Sequence, residues 1–415
     1  MAGLGSLKKL ETTIFGASRT VSSLRNENKS LRLTIRCWKG SVPPTTITDK
    51  TTSTDPIADA IAATSKITRK DFPTEFKFGC STSAFQTEGK GDEGGRGPVT
   101  WDSYIEDDDG ITDVAVDSYN RDSPICDTVP LRFTSSTGRQ IQWLLEQPDC
   151  STQAGEIGIS IQAEWFLPAS DTIQDQDAAR RALDFFVGWF LEPLVFGDYP
   201  FIMKALVRDG LPEFTDDEKT LIKGSFDFIG INYYTSRYAT AVTFDKDATF
   251  SAYSDYQFAT VSGISNPPFL FVAFVTAENK DGEYIGAATP GSTKICIYPQ
   301  GLSDVLVYMS NKYNNPKFFV TENGYPEKRD DTIAVETALQ DDVWIQHILG
   351  HLYAISVAMK QGADVNGYFM WALMDCMEMG SGYTVWYRLA YTDYLNNLER
   401  ILKKSAKWLK LFLAS

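Results

Sequence analysis

From Asp71 onward the chain alternates short apolar runs with longer stretches in which apolar residues recur at three- and four-residue spacing. That alternation predicts repeated parallel β/α units: strands covered by helices are apolar along their whole length, whereas the helices show one apolar stripe. Strands are expected at Phe76 to Cys80, Glu156 to Ile161, Phe226 to Tyr233, Lys317 to Thr321 and Val365 to Ala372. Helices are expected at Ala178 to Phe190, Asp331 to Lys360 and Asn397 to Leu413. In the last, Leu398, Ile401, Leu402, Leu409, Phe412 and Leu413 share one face, with Lys403, Lys404, Lys407 and Lys410 elsewhere on the surface, so a closing amphipathic helix outweighs a basic helix made for a partner. Residues 121–154 break the pattern. They hold turn residues and one short apolar patch but no β/α unit, and read as a connector.

Composition adds limits. A chain of 415 residues, 43% hydrophobic and 13% aromatic, buries a large core. A net charge of -15 with no basic patch in the main body argues against a nucleic-acid partner. The cysteines Cys37, Cys80, Cys126, Cys150, Cys296 and Cys376 lack the paired spacing of a metal site and read mostly as free thiols. The longest apolar run of the body, Phe269 to Val275, is too short for a membrane span.

The first 48 residues contain 13 Ser or Thr and eight Lys or Arg, with Glu11 and Glu27 the only acids. This is transit-peptide composition, and no apolar core of a secretory signal lies between Met1 and Lys39, so plastid import is expected, against the plainer reading of a disordered tail. Residues 49–66 stay polar and weakly periodic. The expected division is therefore 1–68 as a transit-peptide-like, disordered segment and 69–415 as the folded domain.

Six stretches carry a resemblance. They are Phe72 to Glu106 (FPTEFKFGCSTSAFQTEGKGDEGGRGPVTWDSYIE), Asp113 to Asn120 (DVAVDSYN), Asp184 to Pro200 (DFFVGWFLEPLVFGDYP), Asp227 to Tyr238 (DFIGINYYTSRY), Phe318 to Lys328 (FFVTENGYPEK) and Gly367 to Asp375 (GYFMWALMD). In that order they resemble the plant β-glucosidases of glycoside hydrolase family 1. The resemblance implies an α/β fold of the (β/α)8 TIM-barrel type with its site at the C-terminal ends of the strands. It implies retaining hydrolysis of a β-D-glucoside by two carboxyl groups roughly 5 to 5.5 Å apart, with no metal and no organic cofactor.

By the same resemblance Glu322, in VTENG, matches the nucleophile, although a lone Glu at a strand end is ordinarily a solvated loop residue. Asn232 and Tyr234 match residues lining the site, with Tyr233 as the alternative one position earlier. Gln86 matches a glutamine bonding sugar hydroxyls, and neighbouring Glu88 reads as structural. Trp371 matches a sugar-contacting tryptophan and Glu378 a carboxylate that holds outer glucose hydroxyls.

The sequence also departs from the family. Met377 and Met379 flank Glu378 where the family has aromatic residues, which removes a stacking face and an indole donor. At about 30 residues per β/α unit, the connector at 121–154 is too short for the second, third and fourth strands. Those would bring the histidine-tryptophan and Asn-Glu-Pro motifs, the latter carrying the acid/base. An incomplete barrel with a large internal deletion is thus expected, with little or no hydrolysis of natural glucosides. Glu192, before Pro193, and Glu278, before Asn279, read as decoys rather than substitute acids. His347 and His351, the only histidines, read as ordinary helix residues. Two alternatives stand beside this reading. One is a non-catalytic protein that pairs with a full-length glucosidase through unpaired sheet edges. The other is an incomplete gene model of an active β-glucosidase.

Overall fold

The computed structural model describes residues 66–87, 156–243, 257–261, 279–379 and 381–415, all within one compact unit, Pro56–Ser415. The expected transit segment up to residue 65, the connector, the apolar run at 269–275, and Glu88 and Glu278 lie outside the described residues.

Five parallel strands form the centre. They are β1 (Lys77–Ser81), β2 (Gly158–Gln162), β3 (Phe228–Asn232), β4 (Phe318–Glu322) and β5 (Val365–Trp371), hydrogen-bonded in the order β1-β5-β4-β3-β2. Each lies within two residues of an expected strand, because a strand buried on both faces leaves an uninterrupted apolar run in the sequence. Pairing of the first strand with the last is the arrangement by which a sheet curls toward closure.

The two faces of the sheet pack differently. Phe318, Val320, Ile229 and Ile231 face the helices, in one core with Leu302, Leu306, Ile348 and Ile355. On the other face Phe228, Phe319 and Phe369 from three adjacent strands meet edge-on, with ring centroids 5.1 and 6.4 Å apart. That layering of side chains inside a curled sheet is how small barrels fill their interior. Space there is tight: a Cβ on Gly230 would stand 2.3 Å from Ser160 Oγ, so β3 approaches its neighbour only as glycine. Just beyond β2 and β3 the chain forms strands again, Trp165–Pro168 parallel to Ser236–Ala241, with Ala259–Val261 added antiparallel.

The helices start and stop where local chemistry dictates. In α1 (Ile173–Leu183), Thr172 caps the start by accepting from the Asp175 N–H at 3.3 Å. The chain then runs through a π-helical turn, Asp184–Gly188, into α2 (Trp189–Phe196), which Gly197 ends at φ 86°. The helix expected at Ala178 to Phe190 is therefore longer on both sides. Next come α3 (Pro299–Lys312), opened by proline, and α4 (Asp342–Lys360), so the expected Asp331 to Lys360 helix splits after a short piece at Val335–Ala338.

The C-terminal expectation needs correction. Only α5 (Lys404–Ala414) is helical; Glu399–Leu402 pairs antiparallel with Ala390–Asp393 through a turn in which Asn397 and Leu398 have φ of 50° and 56°. Two successive positive φ values suit a tight hairpin and forbid a helix. Lys403 is not on the surface either. It is fully buried, with Nζ 3.1 Å from Glu327 and 3.4 Å from Asp341.

Candidate active site

The register of the sheet places the expected residues in one row. Ser81 is paired with Trp371, Asn232 with Glu322 and Gln162 with Asn232, so the C-terminal ends of all five strands stand level. The turns that follow carry Tyr233, Tyr234 and Asn323, and the loop after β5 returns to Glu378.

Glu322, the last residue of β4, is the centre of this row. The Tyr234 hydroxyl donates to its Oε2 at 2.6 Å, and Asn232 also hydrogen-bonds to its side chain. Asn232 is itself fixed, because Thr321 Oγ1 donates to its Oδ1 at 2.6 Å. Burial pushes the Glu322 carboxyl above its ordinary range, and the bonds from Tyr234 and Asn232, which favour the charged form, oppose that push. Of the two tyrosines, Tyr234 reaches the carboxylate, whereas the Tyr233 hydroxyl donates to Tyr298 O at 2.6 Å and lies 2.8 Å from Ser236 Oγ.

A second carboxyl lies in the same cluster. Trp371 Nε1 donates to Glu378 Oε1 at 3.2 Å, and Cys376 Sγ lies 3.5 Å from the same oxygen. Burial pushes Glu378 up to about 8, the Trp371 and Cys376 bonds oppose it, and the charges of Glu322 and Asp375 reinforce it. Glu378 is therefore mostly neutral at pH 7. Trp371, Cys376, Val385 and Tyr387 pack around this corner with Tyr234 against them, and the Tyr234 and Tyr387 rings meet edge-on at 6.1 Å.

Gln86 is placed beside Glu378 but is already engaged. Its Nε2 donates to Met377 O at 2.7 Å, so the amide braces the Glu378 loop. The decoy Glu192 sits on α2, where Lys312 Nζ holds it at 2.8 Å. Other buried carboxylates are likewise engaged, Glu164 with Arg237 at 2.5 Å and Asp375 with Arg388 at 3.1 Å.

Sequence reasoning missed Asn323, His347, Cys376 and Tyr387. Asn323 was legible as part of VTENG, directly after Glu322. Cys376 lies two residues before Glu378, and His347 and Tyr387 come from other segments and carry no local signal. Among the described residues no group of His, Cys, Asp and Glu is arranged to hold a metal, and no helix is long and apolar enough to cross a membrane.

Comparison with known proteins agrees with this geometry. A rice β-glucosidase structure, Os3BGlu6, superimposes with a TM-score of 0.72 over 83% of this chain and 99% of that one, at 24% identity, and so shows the fold. The β-glucosidase of Trichoderma harzianum gives 0.69 at 25% identity, covering 83% of this chain and 97% of that one. In sequence, rice β-glucosidase 11 is 41% identical over 265 residues, which is 63% of this chain and 46% of the relative. An isoflavonoid 7-O-β-apiosyl-glucoside β-glycosidase of Dalbergia nigrescens is 44% identical over 263 residues, 63% and 45% of the two chains. The chain spans about half the length of the curated relatives it matches. The profile of Glycosyl hydrolase family 1 matches residues 68–125 and 138–415, which include every strand of the central sheet and every residue of the site. By that match, which covers more than half of the chain, this chain belongs to glycosyl hydrolase family 1.

Proposed function

We propose that the chain carries the glucosyl-accepting half of a retaining β-glucosidase, with Glu322 as nucleophile and no working acid/base. The observation that carries this is the 2.6 Å bond from Tyr234 to Glu322 in the row of strand ends. Tyr234 and Asn232 orient the carboxylate, and one of its oxygens attacks the anomeric carbon of a β-D-glucoside. The bond to the leaving oxygen then breaks, its electron pair departing with that oxygen, and a glycosyl ester forms on Glu322. Trp371, Glu378 and Gln86 are read as the hydroxyl-binding side. A neutral Glu378 both donates and accepts there.

The acid/base part rests on sequence. The family's acid is expected in the stretch that the connector replaces, and the carboxylates Glu164, Asp375 and Glu192 are each held by a cation. A leaving group that needs a proton is then cleaved about 10² to 10⁴ times more slowly. The test is intact-mass spectrometry after exposure to a dinitrophenyl 2-fluoroglucoside. An adduct on Glu322, absent in Glu322→Gln, supports the reading, and no adduct on the folded protein defeats it.

A second reading concerns a partner. Among the described residues, β1 and β2 carry no strand on their outer sides, and such edges accept strands from other chains. In that reading the chain binds a full-length glucosidase of the same family. Light scattering of the mixed proteins decides it: a heteromeric species supports the reading and separate monomers oppose it. The plastid address is proposed on the composition of the first 48 residues alone. A fluorescent fusion of residues 1–50 entering plastids supports it, and cytosolic or vacuolar fluorescence refutes it.

A further inference from the structure

We propose that His347 is a positioning residue for the nucleophile, acting through Asn323 to hold together the strand ends that carry Tyr234, Glu322 and Trp371. The inference rests on reading Glu322 as the nucleophile. Asn323 follows Glu322 directly and is fully buried. Its Nδ2 donates to Tyr233 O at 2.8 Å, after β3, and its backbone oxygen accepts from the Trp371 N–H at 2.9 Å, on β5. One asparagine on β4 thus ties both neighbouring strands at the level of the site. Glu322 O in turn accepts from the Tyr233 N–H at 2.9 Å.

The asparagine is itself held from below. Because Nδ2 faces a carbonyl, Oδ1 must be the acceptor toward the helices, and it takes the Tyr368 hydroxyl at 2.7 Å and His347 Nε2 at 3.0 Å. His347 therefore carries its hydrogen on Nε2. His351 Nδ1 lies 2.8 Å from His347 O, an acceptor only, so His351 carries its hydrogen on Nδ1. The two rings stand 4.1 Å apart, and His347 Nδ1 and His351 Nε2 have no partner among the described residues. Burial keeps both rings neutral. It pushes His347 well below its ordinary value, helped by His351, and lowers His351 to about 4. Tyr325 and Trp344 pack on His347 at 5.3 and 5.8 Å, which fixes its ring.

Removing the His347 donor leaves one lone pair of a buried amide oxygen unpaired, and the amide is then free to tilt. Since Asn323 bonds Tyr233, the neighbour of Tyr234, through its amide and Trp371 itself through its backbone oxygen, the tilt is passed to the hydrogen bond on Glu322 and to the indole that holds Glu378. A displacement of about 1 Å at a reacting group costs on the order of 10²-fold in rate. A residue that only stabilised the fold would leave the rate of the folded protein unchanged.

The experiment compares wild type, His347→Phe and His347→Gln, each below its unfolding temperature, by the rate at which a dinitrophenyl 2-fluoroglucoside labels Glu322. The expected result is labelling about 10- to 100-fold slower in His347→Phe, with most of the rate restored in His347→Gln, whose amide places an N–H near the position of Nε2. Equal rates in all three folded proteins overturn the proposal. If wild type is not labelled at all, the proposed function fails separately, and positioning is judged by NMR. With only two histidines in the chain, ¹⁵N-imidazole spectra are expected to show one Nε2–H and one Nδ1–H neutral ring. The Glu322 carboxyl, followed by ¹³C, is expected to titrate higher in His347→Phe, as the Tyr234 bond that favours its charged form weakens, and to be unchanged in His347→Gln. An Nδ1–H tautomer at His347, or one Glu322 midpoint in all three proteins, overturns the proposal.

Discussion

Tyr234 donates its phenolic hydrogen to Oε2 of Glu322 across 2.6 Å, joining the turn after β3 to the last residue of β4. A hydrogen bond to a charged acceptor contributes about 1.5 to 3 kcal/mol. It acts on the ionised form, so it holds Glu322 below the value that burial alone would impose. In Tyr234→Phe the carboxyl is expected to titrate higher, and labelling of Glu322 at pH 6 to slow by about 10- to 100-fold. Because part of the loss is protonation, the gap to wild type narrows as pH rises. A pH-independent difference, or none, would show that Tyr234 only fills space.

Glu378 gives a stability prediction with a defined sign. Its folded value of about 8 lies above the ordinary glutamate value of 4.5, so between those limits the unfolded chain has released a proton that the folded chain keeps. Stability therefore falls as pH rises through that window and levels off above about 8. Glu378→Gln removes the titration while keeping an oxygen for Trp371 Nε1. The variant is expected to gain stability relative to wild type on going from pH 5 to pH 9, by roughly 3 to 5 kcal/mol at most. Thermal melts at the two pH values check it; an identical difference at both would mean that Glu378 is already ionised in the fold.

Lys403 is buried between Glu327 and Asp341, and Asp341 also accepts from the backbone and hydroxyl of Ser405 at 2.8 and 2.5 Å. Replacing the lysine by methionine strands two acids without their cation. A loss of about 3 to 5 kcal/mol is expected in urea unfolding. Lys407→Met, on the exposed side of α5, is expected to change stability by less than about 0.5 kcal/mol. Equal effects would place Lys403 in solvent.

These residues also mark how far the sequence could be read. The five strands were legible because a run such as Phe318 to Val320 has no polar alternative environment, and the register that levels Asn232 with Glu322 follows from their ends. Lys403 was misplaced because Leu398, Ile401 and Leu402 fit a helical stripe as well as a hairpin. What decides between them is two positive φ values at Asn397 and Leu398 and two acids far away in sequence. His347 reads as one more residue of an amphipathic helix until Asn323 and Tyr368 are brought to it. Gln86 was recognised as a site residue, but its grip on Met377 O depends on a loop 291 positions away. Contacts between distant segments escape any local pattern, and they decide how each site residue is used.

The last prediction separates the two chemical halves of the proposed function. Forming the glycosyl ester on Glu322 needs a leaving group, and a dinitrophenolate leaves without a proton. Breaking the ester needs a nucleophile, and water without a general base is a poor one. With a dinitrophenyl glucoside, a burst of phenol equal to the protein present is therefore expected, followed by slow turnover. Azide is an anion that needs no base, and burial, which pushes Glu378 up to about 8, lessens the charge that this carboxyl sets against it. Added azide is expected to raise the steady rate about tenfold or more and to give β-glucosyl azide, with retained configuration because two inversions have occurred. Methyl β-glucoside is expected to stay intact with or without azide, since its alkoxide cannot leave unprotonated. Measuring phenol release and identifying the azide product by NMR tests both halves. Efficient cleavage of methyl β-glucoside, with no response to azide, would mean that a carboxyl of this chain already serves as acid and base, and the reading of an incomplete site would be withdrawn.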